Sequence, residues 1–214
     1  MPPKISLHAA LRFAWTAYTQ HFQLFCALLL AILGGWVVLE IIAWAGSQMG
    51  IIGVALSVVA HLGFFVFYAG MQAGILRVCL TIRRGDEPTL AEGFAGFGLG
   101  PKLLVAELAY TLAVALGTAL LLVPGIFVAS RAVFYAFPIV GEKSGIMDGI
   151  RRSFDVTEGA LTDAALLVGA IVVLNLVGAA LVGLGLLVTV PMSALMLTDA
   201  WKQRTTAGAM ARAA

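Results

Sequence analysis

Long apolar runs constrain this chain more than any other feature of its sequence. Several of them reach or approach the ~20 residues that an α-helix needs to cross ~30 Å of hydrocarbon. Of the 214 residues, 61% are hydrophobic and 11% are charged, whereas a soluble domain carries about a quarter charged residues. Such a chain cannot hide its apolar surface in water. We therefore predict an all-α membrane protein with a single integral membrane domain over residues 1–214.

Turns and charged connections divide the apolar sequence into predicted spans. Pro124-Gly125 is one such break, because proline lacks the amide donor and glycine permits a turn. Gly183 and Gly185 permit the last reversal, and Pro191 predicts a kink in the last span. No short leader with a small-residue cleavage site precedes the first span, so we expect that span in the mature protein. Six transmembrane helices, paired as three hairpins, are predicted at 22–46, 51–80, 102–123, 126–140, 164–181 and 185–201.

Lysine and arginine occur only in alternate connections, apart from Arg131 inside the fourth span. The first, third and fifth connections contain neither residue. The other segments contain Lys4, Arg12, Arg77, Arg83, Arg84, Lys102, Lys143, Arg151, Arg152, Lys202, Arg204 and Arg212. Because short cytoplasmic loops are enriched in these residues, we predict that both termini are cytoplasmic.

A short amphipathic segment precedes each predicted hairpin on the cytoplasmic side, at 5–20, 88–98 and 145–157. The first and third segments share one spacing of apolar residues, in Leu7, Leu11 and Trp15 and in Ile146, Ile150 and Phe154. The chain therefore reads as three units of surface helix plus hairpin. We expect the apolar stripes to lie in the headgroup plane or beneath the bundle, with partner docking as the alternative.

Two stretches resemble a known family. The first contains Gly70-x-x-x-Gly74, Arg77, Arg84-Gly85-Asp86-Glu87-Pro88, Leu90 and Phe94. The second contains Pro124-Gly125-Ile126, Arg131, Phe137-Pro138, Gly149-Ile150-Arg151-Arg152-Ser153-Phe154 and Thr157-x-Gly159. Both are similar to a widespread bacterial membrane family that also occurs as the membrane domain fused to some glycerophosphodiester phosphodiesterases. The resemblance implies a six-helix domain of the inner membrane, without the activity of the separate soluble domain in the fused proteins.

Glu40, Glu107 and Arg131 are ionisable residues that lie within predicted spans. A charge at membrane depth costs at least ~2.5–3.5 kcal/mol on insertion scales, so each needs a partner or a watery cavity. Arg131 and Glu40 lie at similar depths, and we expect them to form a structural ion pair. A substrate or proton path through the same two residues is one alternative, and snorkelling of the side chains is another.

Other polar or small residues in the spans have structural and functional interpretations. We expect His61 to hydrogen-bond a neighbouring helix, with ligation of a haem or pigment as the alternative. Asn175 is expected to bond between helices, and Gly70, Gly74 and Gly178 to permit close approach of spans, with subunit association as the alternative. Pro124-Gly125 is interpreted as a turn, and a re-entrant break of the transporter kind is the alternative.

Nothing in the sequence resembles an active site. It contains no serine-histidine-carboxylate set, no cluster with metal-ligand spacing and no glycine-rich phosphate loop. Cys26 and Cys79 are typical of buried small hydrophobes, so we expect neither a metal nor a cofactor. The basic residues lie at helix ends without interleaved aromatics, which argues against a nucleic-acid partner.

The sequence therefore predicts a non-catalytic, multi-pass protein of the bacterial inner membrane. The leading hypothesis is lipid binding, or a structural or accessory role in a larger membrane assembly. The expected partners are membrane lipids, other membrane subunits or a second copy of the chain. The alternative is a small transporter or channel that uses Arg131 and Glu40, and a more remote one is a pigment- or haem-associated subunit that uses His61.

Overall fold

All regular secondary structure that the structure describes is helical. The structure is a computed structural model. It describes residues 4–181 and 184–213, but not the side chains of 207–213. Short 3-10 segments at Ser47–Met49 and Phe97–Leu99 interrupt the α-helices. The α-helices are α1 (Leu7–Gln20), α2 (Phe22–Gly46), α3 (Gly50–Arg84), α4 (Leu90–Phe94), α5 (Gly100–Leu120), α6 (Leu122–Ala132), α7 (Ala136–Gly141), α8 (Ile146–Thr157), α9 (Leu161–Ala180) and α10 (Leu186–Ala213).

Four stretches of the described chain are long and apolar enough to cross a membrane: Phe22–Arg84, Leu90–Leu120, Leu122–Gly141 and Leu161–Ala180. The first of these contains both α2 and α3. Helix α10 is not among them, since its second half carries Asp199, Lys202 and Arg204. The all-α prediction is therefore confirmed, with several long apolar helices that fit a membrane protein. The count of six spans stays a prediction.

The hairpin of α2 and α3 exposes large apolar side chains over much of its length. Trp44 is 72% exposed and Ile51 is 87% exposed. In water, such a continuous apolar surface would be costly, because each large side chain left exposed forfeits about 1.5–3 kcal/mol of burial. Lipid removes that cost, so the surface of this hairpin fits a hydrocarbon environment.

Glycine pairs lie at the turns of three helical hairpins. A Cβ on Gly53 would lie 1.6 Å from the carbonyl oxygen of Gly46, and a Cβ on Gly185 would lie 2.6 Å from that of Gly178. A Cβ on Gly117 would lie 3.0 Å from the Cα of Gly125. In each hairpin, the absent side chains let the two backbones touch, as small residues do between membrane helices. Gly178 thus packs against its hairpin partner, while Gly183 lies outside the described residues.

The prediction that Pro124-Gly125 ends a helix is wrong. Helix α5 ends at Leu120, a single extended residue, Leu121, makes the turn, and Pro124-Gly125 lies in the first turn of α6. Proline is tolerated there because the first amides of a helix have no intrahelical acceptor. The reversal is a turn between antiparallel helices, and the break in this span lies further on, between Ala132 and Ala136.

The last helix also differs from its predicted bounds. Helix α10 continues past Trp201 to Ala213, and the chain stays helical through Pro191. Residues after 201 are too polar to extend a membrane span, and Gln203 and Arg204 bond to other segments of the fold. The side chain of Arg212 lies outside the described part of the chain.

The apolar stripes predicted for the first and third amphipathic segments are only partly buried, since Leu7, Ile146, Ile150 and Phe154 are half-buried and two residues of α1 are exposed. Leu11 is 43% and Trp15 57% exposed. Helix α1 instead packs lengthwise against α10. The buried residues are Ala10, Ala14, Ala17 and Tyr18 in α1 and Gly149, Ser153 and Thr157 in α8, and most of them are small. Lipid has no tendency to drive large apolar groups together, so small residues that allow close contact form the helix interfaces.

Gly70 and Gly74 pack against the connection that follows α3, rather than against another predicted span. A Cβ on Gly74 would lie 1.6 Å from the carbonyl oxygen of Gly93, and a Cβ on Gly70 would lie 2.7 Å from the ring of Phe97. The segment with α4 and the 3-10 turn therefore runs back along α3 before α5 begins. This close approach brings α5 against α3 and sets the position of Glu107.

Candidate functional site

A cavity of about 330 Å³ lies among α3, α5, α9, α10 and the interruption between α6 and α7. Most of its wall is apolar and comes from several helices, as in Leu76, Leu103, Val168, Ile171, Ala194 and Leu197. Ligand sites in proteins commonly occupy ~300–1,000 Å³ and have such walls with a few convergent polar groups. We refer to this space as the Glu107 cavity.

The polar groups of the Glu107 cavity come from α3, α5 and the α6–α7 interruption. Its lining includes Glu107, Gln72, Tyr110 and Tyr135. The rings of Tyr110 and Tyr135 stack with their centroids 5.1 Å apart. The Gln72 amide donates to the Tyr68 hydroxyl at 2.7 Å. Glu107 lies within electrostatic range of the phenols of Tyr68 and Tyr135.

Helix α8 holds the interruption that places Tyr135 in the cavity wall. The backbone amide of Phe134 donates to Ser153 Oγ at 3.0 Å, and that hydroxyl donates to the carbonyl oxygen of Arg131 at 2.8 Å. Thr157 Oγ1 lies 3.3 Å from the same carbonyl oxygen and is nearer, at 2.9 Å, to the carbonyl oxygen of Ser153 in its own helix. A helix break at membrane depth must have its freed backbone groups satisfied within the protein. The Ser153 hydroxyl does this by accepting from Phe134 and donating to Arg131, so α8 holds the break in place.

Glu107 has no hydrogen bond or ion pair within the described part of the chain. The salt bridges found there are Arg83–Asp199 and Arg84–Asp86. None of the described residues that line the cavity is cationic. The carboxylate is half-buried and faces a largely apolar space, where a charge without a counterion is unfavourable. A cation, a proton or a bound polar group would relieve this cost.

The predicted ion pair between Arg131 and Glu40 is absent. Arg131 Nη1 donates to the carbonyl oxygen of Phe154 at 3.2 Å, and its guanidinium lies over the rings of Phe127 and Phe154 at 5.7 and 5.5 Å. Glu40 is exposed on α2. The reason is the helix arrangement, because α6 packs mainly against α5, α8 and α9, whereas α2 packs mainly against α3. Neither residue lines the Glu107 cavity.

His61 and Asn175 make the local contacts expected of polar residues in apolar helices. His61 is exposed on α3, and its Nδ1 lies 2.7 Å from the carbonyl oxygen of Ser57, one turn earlier. Its predicted bond to a neighbouring helix is therefore not seen. Asn175 donates to Ser193 Oγ on α10 at 2.8 Å, which is an interhelical bond. Within the described ranges, no three histidine, cysteine or acidic side chains group as metal ligands.

A polar network joins the end of α3 to α1 and α10. Arg83 Nε lies 2.7 Å from Asp199 Oδ1, and Gln203 Nε2 donates to Asp199 Oδ2 at 2.6 Å. The Arg83 guanidinium also lies 5.2 Å from the ring centroid of Phe13. Nearby, Arg204 donates to the carbonyl oxygen of Glu158 at 2.7 Å. Burial lowers the pKa of Arg204, and the charge of Asp163 partly offsets this effect.

Sequence reasoning singled out Glu107 but missed the residues around it. Glu107 and Tyr110 are three residues apart on one helix, and Tyr68 and Gln72 are four apart, so each pair shares a helix face. These spacings could have indicated two polar faces. The contribution of Tyr135 had no such signal, because its direction depends on the helix interruption held by α8. Asp199 was likewise not recognised as the partner of Arg83.

Comparison with known proteins yields one distant similarity. No protein-family model matches the chain, and no solved structure matches it. The protein named uncharacterized protein Rv2560, of Mycobacterium tuberculosis, is 31% identical over 148 residues. The match covers 66% of this chain and 44% of that relative, so the chain spans less than half the length of the curated relative it matches.

Proposed function

We propose that this protein is a non-catalytic membrane protein that binds a lipid or another amphipathic molecule in the Glu107 cavity. One observation carries the proposal: the helices around Glu107 leave about 330 Å³ with a mostly apolar wall and one unpaired carboxylate. A packed membrane bundle has no need for such a space. A ligand with an apolar chain and a polar end would match both the apolar wall and the carboxylate.

The composition of the wall argues against catalysis at this position. Glu107 is the one acidic residue among the described lining residues, and no histidine, serine or cysteine accompanies it. Tyr110 and Tyr135 also line the wall, but neither is hydrogen-bonded to Glu107, and the Tyr110 hydroxyl donates to the carbonyl oxygen of Ala129. Acid–base or nucleophilic chemistry needs a second group in hydrogen-bond reach of the first. Binding requires only complementary shape and polarity, which the cavity provides.

The transporter alternative has less support. It places Arg131 and Glu40 along one path, but these residues lie on helices that pack against different neighbours, and neither lines the cavity. An accessory role in a larger assembly is compatible with the exposed apolar hairpin of α2 and α3. Location in a bacterial inner membrane, with cytoplasmic termini, is likewise our proposal, supported by the lysine and arginine distribution and the family resemblance.

Filling the cavity tests the proposed function. Val168→Phe on α9 adds volume to the wall, whereas Val173→Phe adds the same volume on a part of the same helix that is 61% exposed. Native mass spectrometry of protein purified in mild detergent would measure retained lipid or amphiphile. We expect bound ligand in the wild type and in Val173→Phe, and at least tenfold lower occupancy in Val168→Phe, since the added ring takes the place of the ligand.

Folding must be checked in the same samples. If Val168→Phe is folded, with the same elution volume and helicity as the wild type, and still retains the same ligand, then the cavity is not the binding site. Absence of any bound amphiphile from the wild type, both as purified and after addition of membrane lipid extract, would also contradict the proposal.

A further inference from the structure

The polar end of the Glu107 cavity presents negative charge and acceptor groups without any cation. The carboxylate of Glu107 is unpaired in the described structure. The Gln72 amide donates one of its two N–H groups to Tyr68, and its oxygen is an acceptor without a hydrogen bond in the described structure. An anionic head group would meet repulsion here. A neutral head group would leave a proton as the only means of neutralising the carboxylate, whereas a cationic head group pairs with its charge.

Aromatic rings lie beside the carboxylate. Tyr110 and Tyr135 form a stacked pair in the cavity wall, and Tyr68 lies next to Gln72 at the same end. Aromatic faces attract ammonium groups through the ring quadrupole, most strongly where water is excluded. A carboxylate together with several tyrosine rings is therefore complementary to an organic ammonium. A metal ion fits less well, because Mg²⁺ and Ca²⁺ need several oxygen ligands and one carboxylate supplies two.

We infer that the Glu107 cavity binds an amphiphile whose polar end is an ammonium group, with Glu107 as its counterion. This inference rests on the proposed function and adds the charge of the ligand. Two sources share this chemistry: free alkylamines, and membrane lipids with an amine head group. In either case the apolar chain lies along α9 and α10, while the ammonium group lies between Glu107 and the tyrosine rings.

Three ten-carbon probes that differ only at the head group test the charge. Decylamine, decanol and decanoate would be titrated into protein in nanodiscs of a zwitterionic lipid, with empty nanodiscs subtracted to remove partition into the bilayer. Wild-type protein should bind decylamine at least about tenfold more tightly than decanol, since a charge-assisted contact is about twice as strong as a neutral one and lies in a largely dry site. Decanoate should bind most weakly.

Variants assign this preference to one carboxylate. Glu107→Gln should bind decylamine and decanol within about threefold of each other, whereas Glu107→Asp should keep a preference for the amine because it keeps the charge. Glu40→Gln is the matched control, since it removes an exposed glutamate from α2 and should leave the preference unchanged. If Glu107→Gln does not fold, the comparison between Glu107→Asp and the wild type and the ranking of the three wild-type probes still test the inference.

The outcomes separate the inference from the proposed function. If decanol binds as tightly as decylamine, and Val168→Phe abolishes both, the cavity is a ligand site but the ammonium inference is wrong. If no probe binds the wild type, the proposed function fails. A decylamine preference that survives in Glu107→Gln overturns the role of Glu107. When the preference holds, enrichment of phosphatidylethanolamine over phosphatidylglycerol in purified protein identifies a lipid head group, and its absence identifies a free amine.

Discussion

Replacing Arg83 with glutamine should destabilise the protein more than replacing Asp199 with asparagine, although both changes break one ion pair. The side chain of Asp199 is 5% exposed and that of Arg83 is 35% exposed. Without Arg83, a buried carboxylate keeps only the bond from Gln203. Without the charge of Asp199, the guanidinium remains hydrated and still lies over Phe13. The loss of stability therefore depends on whether the charged group that remains is buried, as in Asp199, or hydrated, as in Arg83.

The magnitudes follow from these exposures. Stranding a buried charge costs ~3–5 kcal/mol, and the remaining bond from Gln203 puts Arg83→Gln near the lower end, at about 3 kcal/mol. Asp199→Asn loses one charge-assisted hydrogen bond, or about 1.5 kcal/mol. The double variant should cost less than the sum of the two single changes, because the carboxylate and the guanidinium are then both absent.

Reversible unfolding in mixed detergent micelles, followed by tryptophan fluorescence, would give the free energy of unfolding. Asp86→Asn is the neighbouring control, since the pair of Asp86 with Arg84 is 3.6 Å long with side chains 68% and 58% exposed. That change should cost no more than about 0.5 kcal/mol. An Asp199→Asn loss equal to or larger than that of Arg83→Gln, or full additivity in the double variant, would refute this reasoning.

Three further predictions follow from the fold and the sequence. Cysteine introduced at Ser47 should react with a membrane-impermeant reagent added outside the cell. Cysteine introduced at Ser144 should react only after the membrane is opened. Labelling of both positions from one side would contradict the predicted topology. Ser153→Ala should lower the free energy of unfolding by about 1–3 kcal/mol, because it leaves the buried amide of Phe134 without an acceptor. If Ser144→Ala costs as much, the bond between Phe134 and Ser153 is unimportant for stability. Arg131→Gln and Glu40→Gln should have additive effects on stability, since the two side chains are not in contact. A coupling energy above about 0.5 kcal/mol between them would instead be evidence for the ion pair.

The sequence by itself determined the helical and apolar character of this protein. Hydropathy and run length are local properties, so the long helices and most of their turns could be predicted from residue type alone. The glycines at the hairpin turns are also local signals, because close backbone contact at a turn needs absent side chains. Glu107 stood out for the same reason, as a single charge within an apolar run.

Only the tertiary structure decided which helix faces meet. Large apolar residues predict a buried face in water, but Leu11 and Trp15 are exposed while Ala10 and Ala14 are buried, so that pattern did not identify the packing face of α1. The partner of Arg131 depended on α8 lying against α6, and the cavity depended on the break that Ser153 holds from a different helix. In a membrane, small-residue contacts and backbone hydrogen bonds between distant segments determine the arrangement of helices. The hydrophobic pattern of the sequence does not predict these contacts.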